Sequence, residues 1–434
     1  MSVLVESLDL EGRGVARVAG KVVFVEGALP GEQVEIQTWR RKPSFDLANV
    51  TRIERSSAQR VTPRCPHYER CGGCSLQHLD ARAQVAIKQR VLEDNLARIG
   101  RVTPDTILPP ILGPAWAYRH RARLSVRHVA RKGGVLVGFH ERRTHYVVDM
   151  DSCEVLPASV SALIRPLRDL ISGLDCAKRL AQVEVAVGER GVALALRHLD
   201  PLSAGDASAL QAFALRRGVE IHLQPAGPES VHPLDSACSP ELIYTLPEFD
   251  LCFGFRPTDF TQVNHDINRV LVRRAVSLLG PASGERIGDL FCGLGNFSLA
   301  LARRGAHVVG VESSAELVER AAGNAARNGL AAKARFVVAD LFSGAERVLA
   351  QLPQLDKLLI DPPRDGAHAV VQALGAQLPG RIVYVSCNPA TLARDAGILC
   401  HEKGYVLVAA GVVNMFPHTS HVESTALFER RASA

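Results

Sequence analysis

The chain has 434 residues, 47% hydrophobic and 22% charged, with a formal net charge of +6. That balance belongs to folded globular domains and excludes a disordered tail or a fibrous repeat. At about 100–200 residues per domain the length accommodates two to four domains. No apolar run reaches the ~18 residues of a membrane span, and the opening MSVLVESLDLEGRG has no basic-then-apolar secretory pattern. A cytoplasmic protein without membrane attachment is expected.

Taken in chain order, residues 1–57 read as short alternating strands: VLVESLDL, GVARVAG, KVVFVEG, QVEIQTWRR and FDLANVTRIE. They are broken by Gly12, Gly14, Gly20, Pro30-Gly31 and Pro43. Five such strands joined by tight turns predict a small closed barrel. Three cysteines follow, then a helical pattern over Ala83–Ile99. Residues 116–250 are mixed, with strands RARLSVRHV, GVLVGFHE and THYVVDM and one amphipathic helix over PASVSALIRPLRDLISGL. From about Arg256 strands and helices alternate, with RIGDLF, HVVGVE, ARFVVAD, KLLIDPP and RIVYVSC as buried strands. Such alternation predicts βαβ units and a parallel sheet.

Positive charge is concentrated. Between Arg60 and His145 there are 16 Lys and Arg against 6 Asp and Glu, a local excess of +10. Clustered Lys and Arg favour a polyanion, because they displace condensed counterions from phosphates. An ordinary solvated face is the other reading. Of ten cysteines, Cys65, Cys71 and Cys74 form the one cluster. In a reducing compartment such clustering speaks for a metal centre rather than disulfides. Zinc and an iron–sulfur cluster can each use four thiolates, and spacing alone slightly favours zinc, because zinc sites are common. Cys176, Cys238, Cys252, Cys292 and Cys400 are expected to be small core residues.

The segment Asp289-Leu-Phe-Cys-Gly-Leu-Gly-Asn-Phe ends a strand and opens a helix. Gly293 and Gly295 let the backbone turn tightly and approach a ligand. Glu312 closes the next strand, 23 residues after Asp289, where an acid can accept hydrogen bonds from ribose hydroxyls. Asp340 and Asp361 end two further strands. A nicotinamide site is disfavoured because Ser298 stands at the third position of GxGxxG. The ordered acids resemble those of class I S-adenosylmethionine methyltransferases. Cys387, in Val-Ser-Cys-Asn-Pro, ends a strand where a helix begins, and a thiol at a helix N-terminus can have a lowered pKa and act as a nucleophile.

Asp-Pro-Pro-Arg-Asp-Gly (361–366), Val-Ser-Cys-Asn-Pro-Ala-Thr (385–391) and Phe-Pro-His-Thr-Ser-His-Val-Glu (416–423) resemble the RNA uracil-C5 methyltransferase family. Phe260-Thr-Gln-Val-Asn264 and Asp289–Phe297 match its cofactor side. The resemblance covers nearly the whole chain. It implies a multidomain α/β protein: an N-terminal OB-like TRAM barrel (1–57), a mixed α/β iron–sulfur domain (58–255) and a C-terminal Rossmann-like methyltransferase domain (256–434). In relatives the helix near 85–100 packs on the catalytic domain. The same resemblance implies Cys387 as nucleophile and Glu423 as general base. It assigns S-adenosylmethionine to Gln262, Phe291, Asn296, Glu312, Asp340 and Asp361, with Asp361 open to orienting the base as well. A [4Fe–4S] cluster falls to Cys65, Cys71, Cys74 and Cys153. Barrel plus cluster points within the family to 23S rRNA, a flipped uridine as target and a monomer. Arg119, Arg121, Arg123, Arg127, Arg131 and Lys132 then read as RNA surface, the first three alternating along one strand face. A metal-bearing RNA-binding protein without catalysis is the competing class, and the presence of both Cys387 and Glu423 argues against it.

Overall fold

The computed structural model describes residues 1–235, 241–375 and 378–431; Cys238 lies outside them. The N-terminal segment forms six strands: β1 (Ser2–Leu4), β2 (Ser7–Leu8), β3 (Gly14–Val18), β4 (Lys21–Glu26), β5 (Gln33–Arg41) and β6 (Phe45–Arg55). Their order is β1-β5-β6-β4-β3-β2. Because β1 and β2 are two halves of one stretch, pairing β5 at one end and β3 at the other, the sheet closes on itself. Alternation puts Val23, Val25, Val34 and Ile36 inside that barrel.

A linker leads to α1 (Ala81–Asn95), capped by the Asp80 carboxylate and continued by a π-helical turn over Leu96–Gly100. Leu92 and Leu96 share a core with Leu392, Ala393 and Leu399 of the C-terminal segment. A short strand, β7 (Thr106–Ile107), joins the edge of the C-terminal sheet.

The central sheet has the order β13-β12-β11-β10-β8-β9. It is built from β8 (Arg121–Val129), β9 (Gly134–Gly138), β10 (Leu180–Val187), β11 (Val192–His198), β12 (Glu220–Gln224) and β13 (His232–Pro233), with helices α2 (Ala158–Ser161), α3 (Ile164–Ser172) and α4 (Ala204–Arg217). Two expectations change here. The single helix over 157–174 is two, because Pro166 lacks an N–H and its ring collides with the carbonyl four residues back, so the helix restarts at Ile164. THYVVDM makes one isolated bridge, His140 to Val147, rather than a strand. It buries Val147, Val148 and Met150, while Lys132 and Arg168 engage Asp149.

The hairpin β14 (Leu242–Leu246) and β15 (Leu251–Phe255) sends Leu242, Tyr244 and Phe253 into the C-terminal core, although the sequence grouped it with the central segment. The remaining elements alternate: α5 (His265–Leu279), β16 (Arg286–Leu290), α6 (Ser298–Arg303), β17 (His307–Glu312), α7 (Ala315–Arg327), β18 (Ala334–Val338), α8 (Ala345–Gln351), β19 (Lys357–Ile360), α9 (His368–Ala373), β20 (Arg381–Ser386), α10 (Pro389–His401), β21 (Tyr405–Val413) and β22 (Glu423–Arg430). The sheet order is β18-β17-β16-β19-β20-β22-β21-β7. Strands β16 to β20 are parallel, and β22 runs antiparallel to both β20 and β21. The order reverses between β16 and β19, and a crevice outside the carboxyl ends of the strands at such a reversal is where open α/β sheets take ligands.

Candidate active site

Asp289, Glu312, Asp340, Asp361 and Cys387 lie at or just after the carboxyl ends of those strands. After β16 the chain turns through Phe291, whose φ of 65° is left-handed although it carries a large side chain. Strain of this kind persists where surrounding contacts over-determine it, and it clusters at ligand sites. The Phe291 and Cys292 N–H groups both donate to Val311 O, which pins the turn. Asp289 is fully buried and accepts from Ser298 Oγ, while its Oδ1 has no partner among the described residues. Burial pushes its carboxyl up to about 7. The serine at the third glycine position thus has a job that glycine could not do.

Glu312 accepts from Gly293 N at 3.2 Å and from Ser313 N at 2.7 Å, so it bridges the first two strand-end loops. Asp340 accepts from Phe342 N at 2.8 Å, and Ser343 holds its carboxyl below the usual range. Gln262 is half-buried, two residues before the Asn264 cap of α5. Asn296 behaves differently. Its amide is engaged in a reciprocal pair with Asn268 (2.9 and 3.0 Å) and accepts from Tyr244 Oη at 3.0 Å, so it faces the protein.

Across the reversal, Asp361 ends β19, Cys387 follows β20 and Glu423 opens β22. The pairing of Ser386 with Ser424 brings Cys387 and Glu423 to adjacent strand ends. Glu423 is 4% exposed, and burial pushes its carboxyl up to about 7 despite the Arg364 guanidinium. Burial with the neighbouring Glu423 and Asp289 raises Asp361 well above the carboxylate range. The Cys387 thiol does not have the lowered pKa expected of a helix N-terminus. Burial, Glu423 and Asp361 push it up to about 12, and these outweigh the N-terminus of α10. Asn388 caps that helix through Ala390 N and donates to Arg364 O, tying the Cys387 turn to the Asp-Pro-Pro-Arg loop. Sequence reasoning gave Arg364 and His421 no role, yet Arg364 donates to His421 Nδ1 at 3.1 Å and lowers the pKa of both Cys387 and Glu423. Their places inside the quoted motifs were the available signal.

Cys65, Cys71, Cys74 and Cys153 line one cavity of about 210 Å³, with Arg119 and His421 on its wall. All four are free thiols raised by burial, Cys74 to about 11 and Cys153 to about 12. Among the described residues no group of three or more His, Cys, Asp or Glu is arranged to hold a metal ion. Cys176 and Cys292 are buried, and Cys252 and Cys400 half-buried.

The arginine alternation does not survive as a row of free charges. Arg121 and Arg123 both engage Glu184 of β10, at 3.7 and 2.8 Å. Arg119 precedes β8, and its Nε donates to Arg121 O. No helix among the described residues is long and apolar enough to cross a membrane.

A parallel-centred sheet with a strained loop at its first strand, acids at successive strand ends and a cysteine–glutamate pair across the reversal is the arrangement of a methyltransferase-type fold, and comparison gives the class. Residues 113–431 match the tRNA (Uracil-5-)-methyltransferase family and residues 1–42 the TRAM domain. The chain belongs to that methyltransferase family. It is 61% identical over 428 residues to the 23S rRNA (uracil(1939)-C(5))-methyltransferase RlmD of Aromatoleum aromaticum, covering 98% of this chain and 99% of the relative. With RlmD of Nitrosospira multiformis it shares 59% over 99% and 98% of the two chains. The crystal structure of Pyrococcus abyssi tRNA (uracil-54, C5)-methyltransferase with S-adenosyl-L-homocysteine superposes with a TM-score of 0.76 over 99% of each chain, at 24% identity. The fold is therefore a multidomain α/β methyltransferase fold with an N-terminal TRAM domain.

Proposed function

We propose that this protein transfers the methyl group of S-adenosylmethionine to C5 of uridine 1939 in 23S rRNA, giving 5-methyluridine. The observation that carries this reading is the meeting of Cys387, Glu423 and Asp361 at one strand-end crevice, in a chain aligned end to end with relatives named for that reaction.

Uracil C5 is too weak a nucleophile to attack unaided. Addition of the Cys387 sulfur to C6 gives an enolate whose C5 is nucleophilic, splitting one hard step into two easier ones. The thiol's high pKa means that its proton must leave as the substrate binds; Glu423 is the neighbouring carboxylate able to accept it, and must pass it to solvent before it takes the C5 proton. S-adenosylmethionine supplies the electrophilic methyl group. Glu423 then takes the C5 proton; the C5–H electrons form the C5–C6 double bond, and the sulfur leaves as thiolate. A base with a pKa near 7 accepts and gives up a proton at neutral pH.

The cofactor-binding set is Gln262, Phe291, Asn296, Glu312, Asp340 and Asp361. The orphaned Asp289 Oδ1 and the strained Phe291 turn fit a ligand in this crevice. Asn296 serves by shaping the loop, since Asn268 and Tyr244 occupy its amide. Cys65, Cys71, Cys74 and Cys153 would hold a [4Fe–4S] cluster. Two buried and two half-buried thiols lining one cavity of about 210 Å³ give the four thiolates that such a cluster uses, and the family resemblance is what favours it over zinc. It would cross-link distant segments and so supply folding energy. The target uridine is expected to flip from its stack into the crevice, at a few kcal/mol.

The test is mass spectrometry after mixing protein, S-adenosylmethionine and 23S rRNA carrying 5-fluorouridine. Fluorine blocks proton removal, so a methylated RNA adduct mapped to Cys387 is expected. RNA binding without any adduct overturns the reading, and an adduct on tRNA alone replaces the substrate.

A further inference from the structure

Glu423 is reached by a loop whose ends sit in the C-terminal core, through Met415 and Val422, but whose centre is held from outside that sheet. The loop follows β21 and runs from Asn414 through His418 to Val422. Its centre, His418, is 4% exposed and has a left-handed φ of 65°. A non-glycine residue there is strained and keeps that shape only if neighbours impose it. The neighbours come from the segment just after the third cluster cysteine, from α1, and from Trp116 and Tyr118, the last donating to Pro417 O at 2.9 Å. Ser75 N and Leu76 N both donate to His418 O at 2.9 Å. Gln84 Oε1 accepts from His418 N at 2.8 Å, and Gln84 Nε2 lies 3.2 Å from His418 Nδ1. Ser420 N donates to Ser75 Oγ at 3.0 Å, and Lys88 Nζ donates to Asn414 Oδ1 and Phe416 O, both at 2.8 Å. Trp116 stacks on the imidazole with ring centroids 3.8 Å apart.

Gln84 is 1% exposed, and its Nε2 also donates to Leu76 O and Leu79 O. One amide therefore binds the post-cysteine segment on one side and the strained turn on the other. Lys88 lies one turn further along the same face of α1. Three residues beyond His418 stands His421, which contacts Arg364 and lines the four-cysteine cavity; two residues further on is Glu423.

We propose that Gln84 is a positioning residue for Glu423, with Lys88 as its second anchor: together with Ser75 and Leu76 they hold the His418 turn in the shape that aims the base at C5. This rests on Glu423 being the base. Proton removal is then the step that depends on α1. Addition of Cys387 depends on it less, because that residue is fixed by β20 and the Asn388 cap.

The experiment follows two steps separately in single turnover on the natural, unfluorinated rRNA: methyl incorporation into RNA, and decay of the denaturant-stable protein–RNA adduct, with release of tritium from C5 as a second readout. The variants are Glu423→Gln, Gln84→Ala and Lys88→Met, each as the full chain with its colour and iron content checked. Accumulation of methylated adduct by Glu423→Gln establishes the base. Gln84→Ala is expected to do the same, with release slowed at least about tenfold more than methyl incorporation, and Lys88→Met to show the same bias more weakly. A purely structural role would lower both steps together through the folded fraction. An equal fall in both steps, or no change in either, in Gln84→Ala overturns the proposal; if that variant does not fold, the same criterion applied to Lys88→Met decides. Failure of Glu423→Gln to accumulate adduct overturns the assignment of the base instead.

Discussion

Cys387 and Glu423 stand at neighbouring strand ends because Ser386 of β20 pairs with Ser424 of β22, and the Glu423 carboxyl is one cause of the thiol's high pKa. The same desolvation acts on both groups, so the proposed base and the proposed nucleophile are tuned together.

The pH dependence of product release follows from this. Glu423 must be ionised to take the C5 proton, and its pKa is pushed up to about 7. Release should rise about tenfold per pH unit below 7 and level off above it, so that at pH 5 it runs at roughly 1% of the plateau. Glu423→Gln should lower it about 10²–10⁴-fold and abolish that limb. A release rate flat between pH 5 and 8 contradicts the assignment.

Arg364 supplies the opposing effect, lowering the pKa of both Glu423 and Cys387. In Arg364→Ala the Glu423 carboxyl should titrate higher, moving the rising limb of the release profile toward alkaline pH. The thiol should also become harder to ionise, so adduct formation at pH 7 should slow. An unshifted profile, measured on the same RNA, counts against this role.

Much of the fold was legible because it rests on local patterns. Period-two alternation marked the barrel strands, and short apolar strands ending in acids marked the sheet. What could not be read was set by partners far along the chain. The arginines of β8 looked like free charges until Glu184, on the paired strand β10, was placed beside them. The Cys387 thiol looked activated, since its helix was visible in sequence and the two buried carboxyls beside it were not. Asn296 sits in the cofactor motif, yet Asn268 takes its amide. The support of His418 by Gln84 spans 334 residues and has no sequence signature.

That correction changes what the basic segment should do in solution. Arg127 and Arg131 are exposed, whereas Arg121 is engaged by Glu184 and donates to Thr258 O. If the exposed pair meets phosphates, alanine at each should lower the slope of log affinity against log salt by about 1. Arg121→Ala should leave the slope unchanged while lowering the melting temperature, because Glu184 loses one of its two cations. Wild-type slopes in the Arg127 and Arg131 variants would exclude both residues from the RNA surface. Filter binding over a salt series measures it.

Protein purified without oxygen should be brown and carry four irons per chain, and Cys74→Ala or Cys153→Ala should lose both colour and iron. Because the cavity joins residues 65–74 to Cys153, these variants should also melt earlier. Colourless wild-type protein with one zinc per chain refutes the cluster.

Lys88 gives a stability prediction independent of chemistry. Its ammonium is buried with no carboxylate in contact among its hydrogen-bond partners, which are Asn414 Oδ1 and Phe416 O, and desolvation lowers its pKa to about 7. In the unfolded chain a lysine keeps its proton to about pH 10.4. Between these values the unfolded state binds one more proton than the folded state, so stability gains from this group as pH rises from 7 toward 10. Below pH 7 both states are protonated and the contribution is constant. Relative to Lys88→Met, wild type should therefore gain with pH, by at most about 1.4 kcal/mol per unit. Denaturant unfolding of both proteins at pH 6, 8 and 9 reads the difference. A gap that stays constant across that range would mean that Lys88 remains charged in the fold.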